Sequence, residues 1–163
     1  MTAGLRIAVA ELLGRPGASR RVSGTFELSG LELEHTGTTA DQQVVVELDI
    51  ATIVEGLSVI GDVRGRWRAE CRRCLEPVSG QIAVAVSEVF EEDASEGETW
   101  PIEAEHIDLE PLVREAVMLS LPLSPLCGPD CVGPDPERFP TTGVEDQTPA
   151  KDPRWAALDD LDL

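Results

Sequence analysis

The sequence predicts an α+β, β-rich fold: an antiparallel meander or partly open barrel, covered by one or two helices and followed by a disordered C-terminal linker. Apolar and polar residues alternate through positions 44–90, which is the period of half-buried strands. A helical apolar spacing follows within 108–119. The 163 residues fit one domain. We expect that domain to span residues 1–131, with a linker at 132–151 and a short amphipathic helix at 152–163.

The N-terminal 43 residues contain only short apolar stretches. Those stretches are separated by Arg15-Pro16-Gly17 and by a Gly/Thr-rich turn from Thr36 to Thr39. Gly and Pro interrupt regular elements, so this region predicts edge strands and loops.

Three longer strands follow. Apolar residues occupy one parity in each of them, and polar residues such as Glu47, Asp62 and Gln81 occupy the other. Short connections containing Gly or Pro join these strands, and an antiparallel meander with one buried face follows from that arrangement. The apolar sets are Val44, Val46, Leu48 and Ile50; Leu57, Val59, Val63, Trp67, Ala69 and Cys71; and Ile82, Val84, Val86 and Phe90.

The remaining segments are an acidic stretch, a helix and a tail. Residues 91–110 hold nine Asp/Glu and no Lys/Arg, which is typical of a solvated loop.

Asp108 can cap a helix with Pro111 in its first turn, and five apolar residues at helical spacing predict that this helix lies on the sheet. Five prolines and few aliphatic residues at 132–154 indicate disorder, after which Asp152 and Pro153 can start the terminal helix. In the helix predicted after Asp108, the five apolar positions are Leu109, Leu112, Val113, Ala116 and Leu119.

The charge balance excludes a uniformly basic nucleic-acid-binding surface. There are 31 Asp+Glu against 13 Lys+Arg, a net charge of −18, and tyrosine is absent. The N-terminus lacks the pattern of a secretory signal, and no apolar run approaches the roughly 18 residues of a membrane-spanning helix. We therefore expect a cytosolic protein without a membrane partner. In that reducing compartment, cysteines are metal ligands or reactive thiols more often than disulfides.

Four cysteines form two close pairs. Cys71 and Cys74 make a C-x2-C, Cys127 and Cys131 make a C-x3-C, and 52 residues separate the pairs. Four thiolates in two tight turns suit tetrahedral Zn²⁺, so these residues are the candidate metal ligands. Unmetallated structural thiols and redox chemistry remain open. A thioredoxin-like site is disfavoured, because Pro77 and antiparallel strands follow the first pair where that motif requires a helix.

Five arginines form a local positive region at the second long strand. Arg64, Arg66 and Arg68 share the polar face, and Arg72 and Arg73 follow at its end. Guanidinium groups bind phosphate and carboxylate oxygens, which favours an RNA contact or a docking face for an acidic partner. The alternative is pairing within the sheet, with Glu47, Asp49 and Glu88 as acids on neighbouring strands. No catalytic motif is present, and an enzyme is not expected.

Several segments together resemble the YceD family of large ribosomal RNA subunit accumulation proteins, in an actinobacterial form. The resemblance covers nearly the whole chain, and its most specific parts are C-x-R-C-L-x-P-V and L-P-L-x-P-x-C. The matching segments are Leu13 to Gly17, Cys71 to Val78, Val89 to Glu92, Ile107 to Leu109, Leu121 to Cys127 and Asp152 to Leu158.

The resemblance implies a bacterial, cytosolic, non-enzymatic protein that supports 23S ribosomal RNA accumulation and large-subunit assembly. Together with the charge separation, the resemblance favours 23S rRNA or its precursor and basic ribosomal proteins as partners. An acidic chaperone for one ribosomal protein and a thiol- or zinc-based redox sensor are the alternatives. Many relatives continue after the position of Cys131 with further cysteines that this chain lacks. The metal in the family is then held either by those cysteines or by the four present here.

Overall fold

A computed structural model of the chain describes residues 4–138. Nine strands and one helix make up the regular structure of this part of the chain. They are β1 Arg6–Ala8, β2 Ser19–Glu27, β3 Glu32–Leu33, β4 Thr38–Ala40, β5 Gln43–Ile53, β6 Gly56–Glu70, β7 Pro77–Glu91, β8 Trp100–Glu103, β9 His106–Asp108 and α1 Glu110–Ser120.

The antiparallel meander predicted for residues 44–90 is confirmed as β5, β6 and β7. Val63 of β6 lies opposite Val46 on one side and Val84 on the other. The predicted parity decides burial, because the even residues of β5 and the odd residues of β6 face the same core. Its buried members in these strands are Val44, Val46, Leu48, Ile50, Leu57, Val59, Val63, Ile82, Val86 and Phe90.

The N-terminal region adds edge strands to this sheet, as predicted. β2 pairs with β5 from Ser19 to Glu27, and β3 and β4 form a small hairpin. β6 is long enough to have two neighbours on one side: β5 along its first part, and β4 at Trp67 and Arg68.

The sheet curls into an open half-barrel, which agrees with the partly open barrel expected from the sequence. β8 joins β7 in parallel, and β9 and β1 extend the same path. At Gly61 the backbone of β6 lies especially close to that of β5. A Cβ at this position would collide with the carbonyl oxygen of Glu47.

The prediction that residues 91–110 form a solvated loop is wrong for the second half of that stretch, which contains β8 and β9. Ile102 and Ile107 are buried and pair with each other, while the acidic residues take exposed positions. The two strands turn at Ala104 and Glu105, both with positive φ, as a tight two-residue hairpin requires. The many acidic residues concealed the alternation of buried and exposed positions along β8 and β9.

Helix α1 covers the sheet through Leu112, Val113 and Val117. Asp108 lies one residue before the N-cap Leu109, and its carboxylate accepts a hydrogen bond from the Glu110 N–H at 3.0 Å. The chain then leaves the helix at Leu121 in an extended conformation.

Two predictions concern the end of the chain. Residues 132–138 contain no helix or strand. The rest of the predicted linker and the helix at 152–163 lie outside the described residues. Across residues 4–138, no helix has the length and apolar character needed to cross a membrane.

Candidate metal centre

The first cysteine pair lies in the connection between β6 and β7. The N–H of Cys71 donates to the carbonyl of Glu76 at 2.8 Å, and the N–H of Leu75 donates to the carbonyl of Cys71 at 2.9 Å. Leu75 has a φ of 64°, so the chain reverses immediately after Cys74. This compact turn holds the sulfurs of Cys71 and Cys74 within 4.8 Å of each other.

The second pair reaches the same place from the end of α1. The N–H of Arg72 donates to the carbonyl of Pro125 at 2.9 Å. On the way, the fully buried Thr38 hydroxyl donates to the carbonyl of Pro122 at 3.2 Å. The turn is closed by the Cys131 N–H, which donates to the carbonyl of Gly128 at 3.3 Å. These bonds bring a segment distant in sequence against the β6–β7 turn.

All four predicted metal ligands meet in one cluster. Their sulfurs lie within 4.8 Å of one another, with Cys71 to Cys131 and Cys74 to Cys127 both at 3.8 Å. A disulfide requires about 2.05 Å, so the thiols are free. A tetrahedral ion with Zn–S bonds of about 2.3 Å places its sulfurs about 3.8 Å apart. The cluster has the size of a four-cysteine zinc site.

Hydrogen bonding favours one thiolate in this cluster. The N–H of Cys74 lowers the pKa of Cys71 to about 6, and the N–H groups of Arg73 and Cys127 act in the same direction. The Cys127 N–H lies 3.4 Å from the Cys71 sulfur. The thiol of Cys71 therefore loses its proton more readily than those of Cys74 and Cys127.

Two neighbouring thiols resist ionisation. The hydrogen-bonded sulfurs of Cys131 and Cys74 raise the pKa of Cys127 to about 12. The N–H of Glu76 favours a thiolate at Cys74, yet burial and the sulfurs of Cys71 and Cys131 raise its pKa. Several thiolates this close together need a cation to balance their charge.

Arg72 and Arg73 hold the second cysteine turn in place. The Arg72 guanidinium donates to the Ser124 hydroxyl at 2.7 Å. That of Arg73 donates to the carbonyls of Pro129 and Cys131, both at 3.3 Å. The sequence placed these arginines near the cysteines, but it carried no signal for contacts with residues more than 50 positions away. The hydrogen bond from Thr38 to Pro122 was not predicted for the same reason, since 84 residues separate the two.

The three arginines of β6 have different surroundings. Arg64 forms ion pairs with Glu47 at 2.8 Å and with Asp62 at 3.5 Å. Arg68 is 3.8 Å from Asp41, and its side chain is 73% exposed.

Arg66 is exposed and has no side-chain hydrogen bond or ion pair to any residue in the described part of the chain. The expected pairing within the sheet holds for Glu47. Asp49 also pairs within the sheet, but with Arg21 of β2 and not with an arginine of β6, and Glu88 accepts a hydrogen bond from Trp100.

The fold and the cluster define a small β-rich domain in which the β6–β7 turn and the segment after α1 meet at four cysteines. A family model described as "Large ribosomal RNA subunit accumulation protein YceD" matches residues 59–162. The chain belongs to this family, as the sequence segments predicted. The family is named for a role in the accumulation of large-subunit ribosomal RNA, and its name describes no catalysed reaction.

Relatives in mycobacteria agree with an actinobacterial member of the family. Uncharacterized proteins of Mycobacterium tuberculosis and Mycobacterium bovis are 36% identical to this chain over 168 residues, which cover 94% of it and 79% of each relative. An uncharacterized protein of Mycobacterium leprae is 30% identical over 161 residues, covering 90% of this chain and 72% of the relative. No solved structure matches the chain.

Proposed function

We propose that this protein is a non-enzymatic, cytoplasmic factor that supports 23S ribosomal RNA accumulation by binding assembling large subunits. The observation that carries the proposal is the separation of charge in a chain of net −18. Five arginines lie on one face of β6, which also carries Asp62 and Glu70, and in the cysteine turn after it, while nine of the 31 acidic residues lie between 91 and 110. RNA contacts the arginines, and basic ribosomal proteins contact the acidic surface.

Arg66 and Arg68 are the strongest candidates for the RNA contact. The Arg66 guanidinium has no acidic partner in the described structure, and that of Arg68 has one distant partner. Arg64 contributes less, because two carboxylates already offset its charge. Arg72 and Arg73 extend the positive surface while they hold the cysteine turn. An exposed guanidinium binds phosphate oxygens with two parallel hydrogen bonds, which suits the RNA backbone.

The RNA contact is tested with the double variant Arg66→Ala/Arg68→Ala. Its co-sedimentation with large-subunit precursors should fall at least about tenfold, with a shallower dependence on salt concentration, because two phosphate contacts are lost. Arg20→Ala/Arg21→Ala is the matched control: it also removes two exposed arginines, but from β2, where Glu11 and Asp49 already pair with them. Unchanged sedimentation of Arg66→Ala/Arg68→Ala, or an equal loss with the control, would remove β6 from the mechanism.

Zn²⁺ is the cofactor that we propose for Cys71, Cys74, Cys127 and Cys131. When bound, it offsets half of the charge of four thiolates and fastens the segment after α1 to the sheet. Four protein ligands leave no open coordination position, which indicates a structural site rather than a catalytic one. Native mass spectrometry of the full chain should find about one zinc per molecule. Cys74→Ser should lose it, and a folded protein purified without zinc would refute the assignment.

The acidic surface supports a second function, which is binding of a basic ribosomal protein without RNA. Nine acidic residues lie between 91 and 110, and most of them are exposed. Pull-down with and without nuclease separates the two contacts. A partner held through protein alone persists after the RNA is digested, and one held through RNA is lost.

A further inference from the structure

A groove runs between helix α1 and the edge of the sheet formed by β7 and β8. It has a volume of about 490 Å³. Its apolar lining comes from both sides: Val84 and Trp100 from the strands, and Leu112, Ala116 and Leu119 from the helix. Trp100 is held in position because its ring stacks on Phe90 and its N–H donates to the Glu88 carboxylate at 3.3 Å.

Leu119 is the unexpected member of this lining. Its spacing in the sequence places it with the buried face of α1, but its side chain is 79% exposed. Val117 takes the buried position in the last turn. The prediction that Leu119 packs on the sheet is therefore wrong. The helix has an apolar stripe wider than the sheet covers, and the uncovered part lies on the groove.

The groove is also strongly acidic. Glu88, Glu98 and Glu115 line it, and none of its described lining residues is Lys or Arg. These carboxylates repel RNA phosphates and anionic lipids. Together with the apolar floor between them, they complement a polypeptide segment that carries both cations and apolar side chains.

The chain's own C-terminal segment is a poor match. Residues 152–163 contain four Asp and one Arg, so the acidic groove repels them.

We propose that this groove binds a Lys/Arg-rich amphipathic segment of a protein. Apolar side chains of the segment pack on Leu119, Ala116 and Trp100, and its cations pair with Glu98 and Glu115. The inference rests on the proposed role in ribosome assembly and names the chemistry of the protein partner. The groove lies beside the helix, whereas the arginines occupy the face of β6 opposite the core, so both surfaces are available at once.

The test uses the full chain and a fluorescently labelled helical peptide of about 18 residues with Leu and Lys on opposite faces. A second peptide with Ser in place of Leu keeps the same charge. The wild-type protein should bind the first peptide at least about tenfold more tightly than the second, because only the first can bury apolar surface in the groove.

Matched variants locate the binding. Leu119→Ser and Glu98→Gln/Glu115→Gln should each weaken binding of the Leu peptide about tenfold. The controls Leu123→Ser and Glu32→Gln/Glu34→Gln change exposed residues outside the groove and should change binding less than twofold. All these residues are exposed or at the rim, so folding, checked by circular dichroism, should be retained.

Three outcomes would overturn the proposal: no binding by the wild type, equal losses in the controls, or binding only after Trp155→Ser/Leu158→Ser. The last outcome would assign the groove to the chain's own C-terminal segment. The variant Arg66→Ala/Arg68→Ala separates this inference from the proposed function, since it should bind the peptide normally. If the peptide does not bind but Arg66→Ala/Arg68→Ala still reduces co-sedimentation, the proposed RNA contact stands and the groove proposal is wrong. If the peptide binds but the arginine variant sediments normally, only the RNA contact is wrong.

Discussion

The central sheet and the cysteine end of this domain are stabilised by different means. In β5, β6 and β7, side chains such as Leu48 and Val63 are fully buried. At the cysteine end, which comprises residues 71–76 and 122–131, Leu75, Leu123 and Leu126 are exposed. Hydrogen bonds and four sulfurs hold that end together. Apolar burial therefore stabilises the sheet, whereas the Zn²⁺ proposed above would stabilise the cysteine end.

Metal removal is the strongest way to separate the two regions. A chelator should raise amide hydrogen exchange at Arg72 and Cys127 by at least about 1000-fold, because their hydrogen bonds join the two cysteine turns. The amides of Val46 and Val63 should change less than about tenfold. Cys74→Ser should exchange rapidly with or without the chelator. A uniform increase throughout the sheet would show that one cooperative unit includes both regions.

Truncation of the core should produce the opposite pattern. Leu48→Ala removes a fully buried side chain, and we expect the free energy of unfolding to fall by about 2–5 kcal/mol in urea titrations. The loss should be the same with and without metal. Val45→Ala, on the outer face of the same strand and 39% exposed, is the control and should cost less than about 1 kcal/mol. A metal-dependent loss in Leu48→Ala would contradict the separation.

The two regions also differ in how much their sequence revealed. The β5–β6–β7 pairing followed from alternation, because a sheet with one buried face imposes a period of two on every strand. The same signal was present at Ile102 and Ile107, but it was too short to be recognised among nine acids.

At the cysteine end the sequence identified the four candidate ligands, because closely spaced thiols have few uses. Their support was not evident. Arg73 bonds to backbone carbonyls 56 and 58 residues away, and such contacts leave no periodic trace.

Arg73 provides a more moderate test of the cysteine end. Arg73→Ala removes the donors that hold the carbonyls of Pro129 and Cys131, and we expect zinc affinity to fall about tenfold. Competition with a chromophoric chelator measures the change. Arg64→Ala removes the same charge from the middle of β6 and should leave the affinity within twofold. Equal losses in both variants would show that charge, and not the positioning of the turn, matters for metal binding.

The smallest effect is expected at Leu75, where the backbone is strained for the residue it carries. A φ of 64° costs a side chain with a Cβ about 1–2 kcal/mol, and the leucine recovers little by packing because it is 64% exposed. Glycine relieves that strain but loses about 0.5–1 kcal/mol of backbone entropy, so Leu75→Gly should stabilise the turn by about 0.5 kcal/mol. We expect this gain as a roughly twofold rise in zinc affinity, with no change in urea unfolding of the sheet. Leu75→Ala keeps the Cβ and should gain nothing. Weaker zinc binding by Leu75→Gly would mean that the exposed leucine stabilises the cysteine end by packing after all.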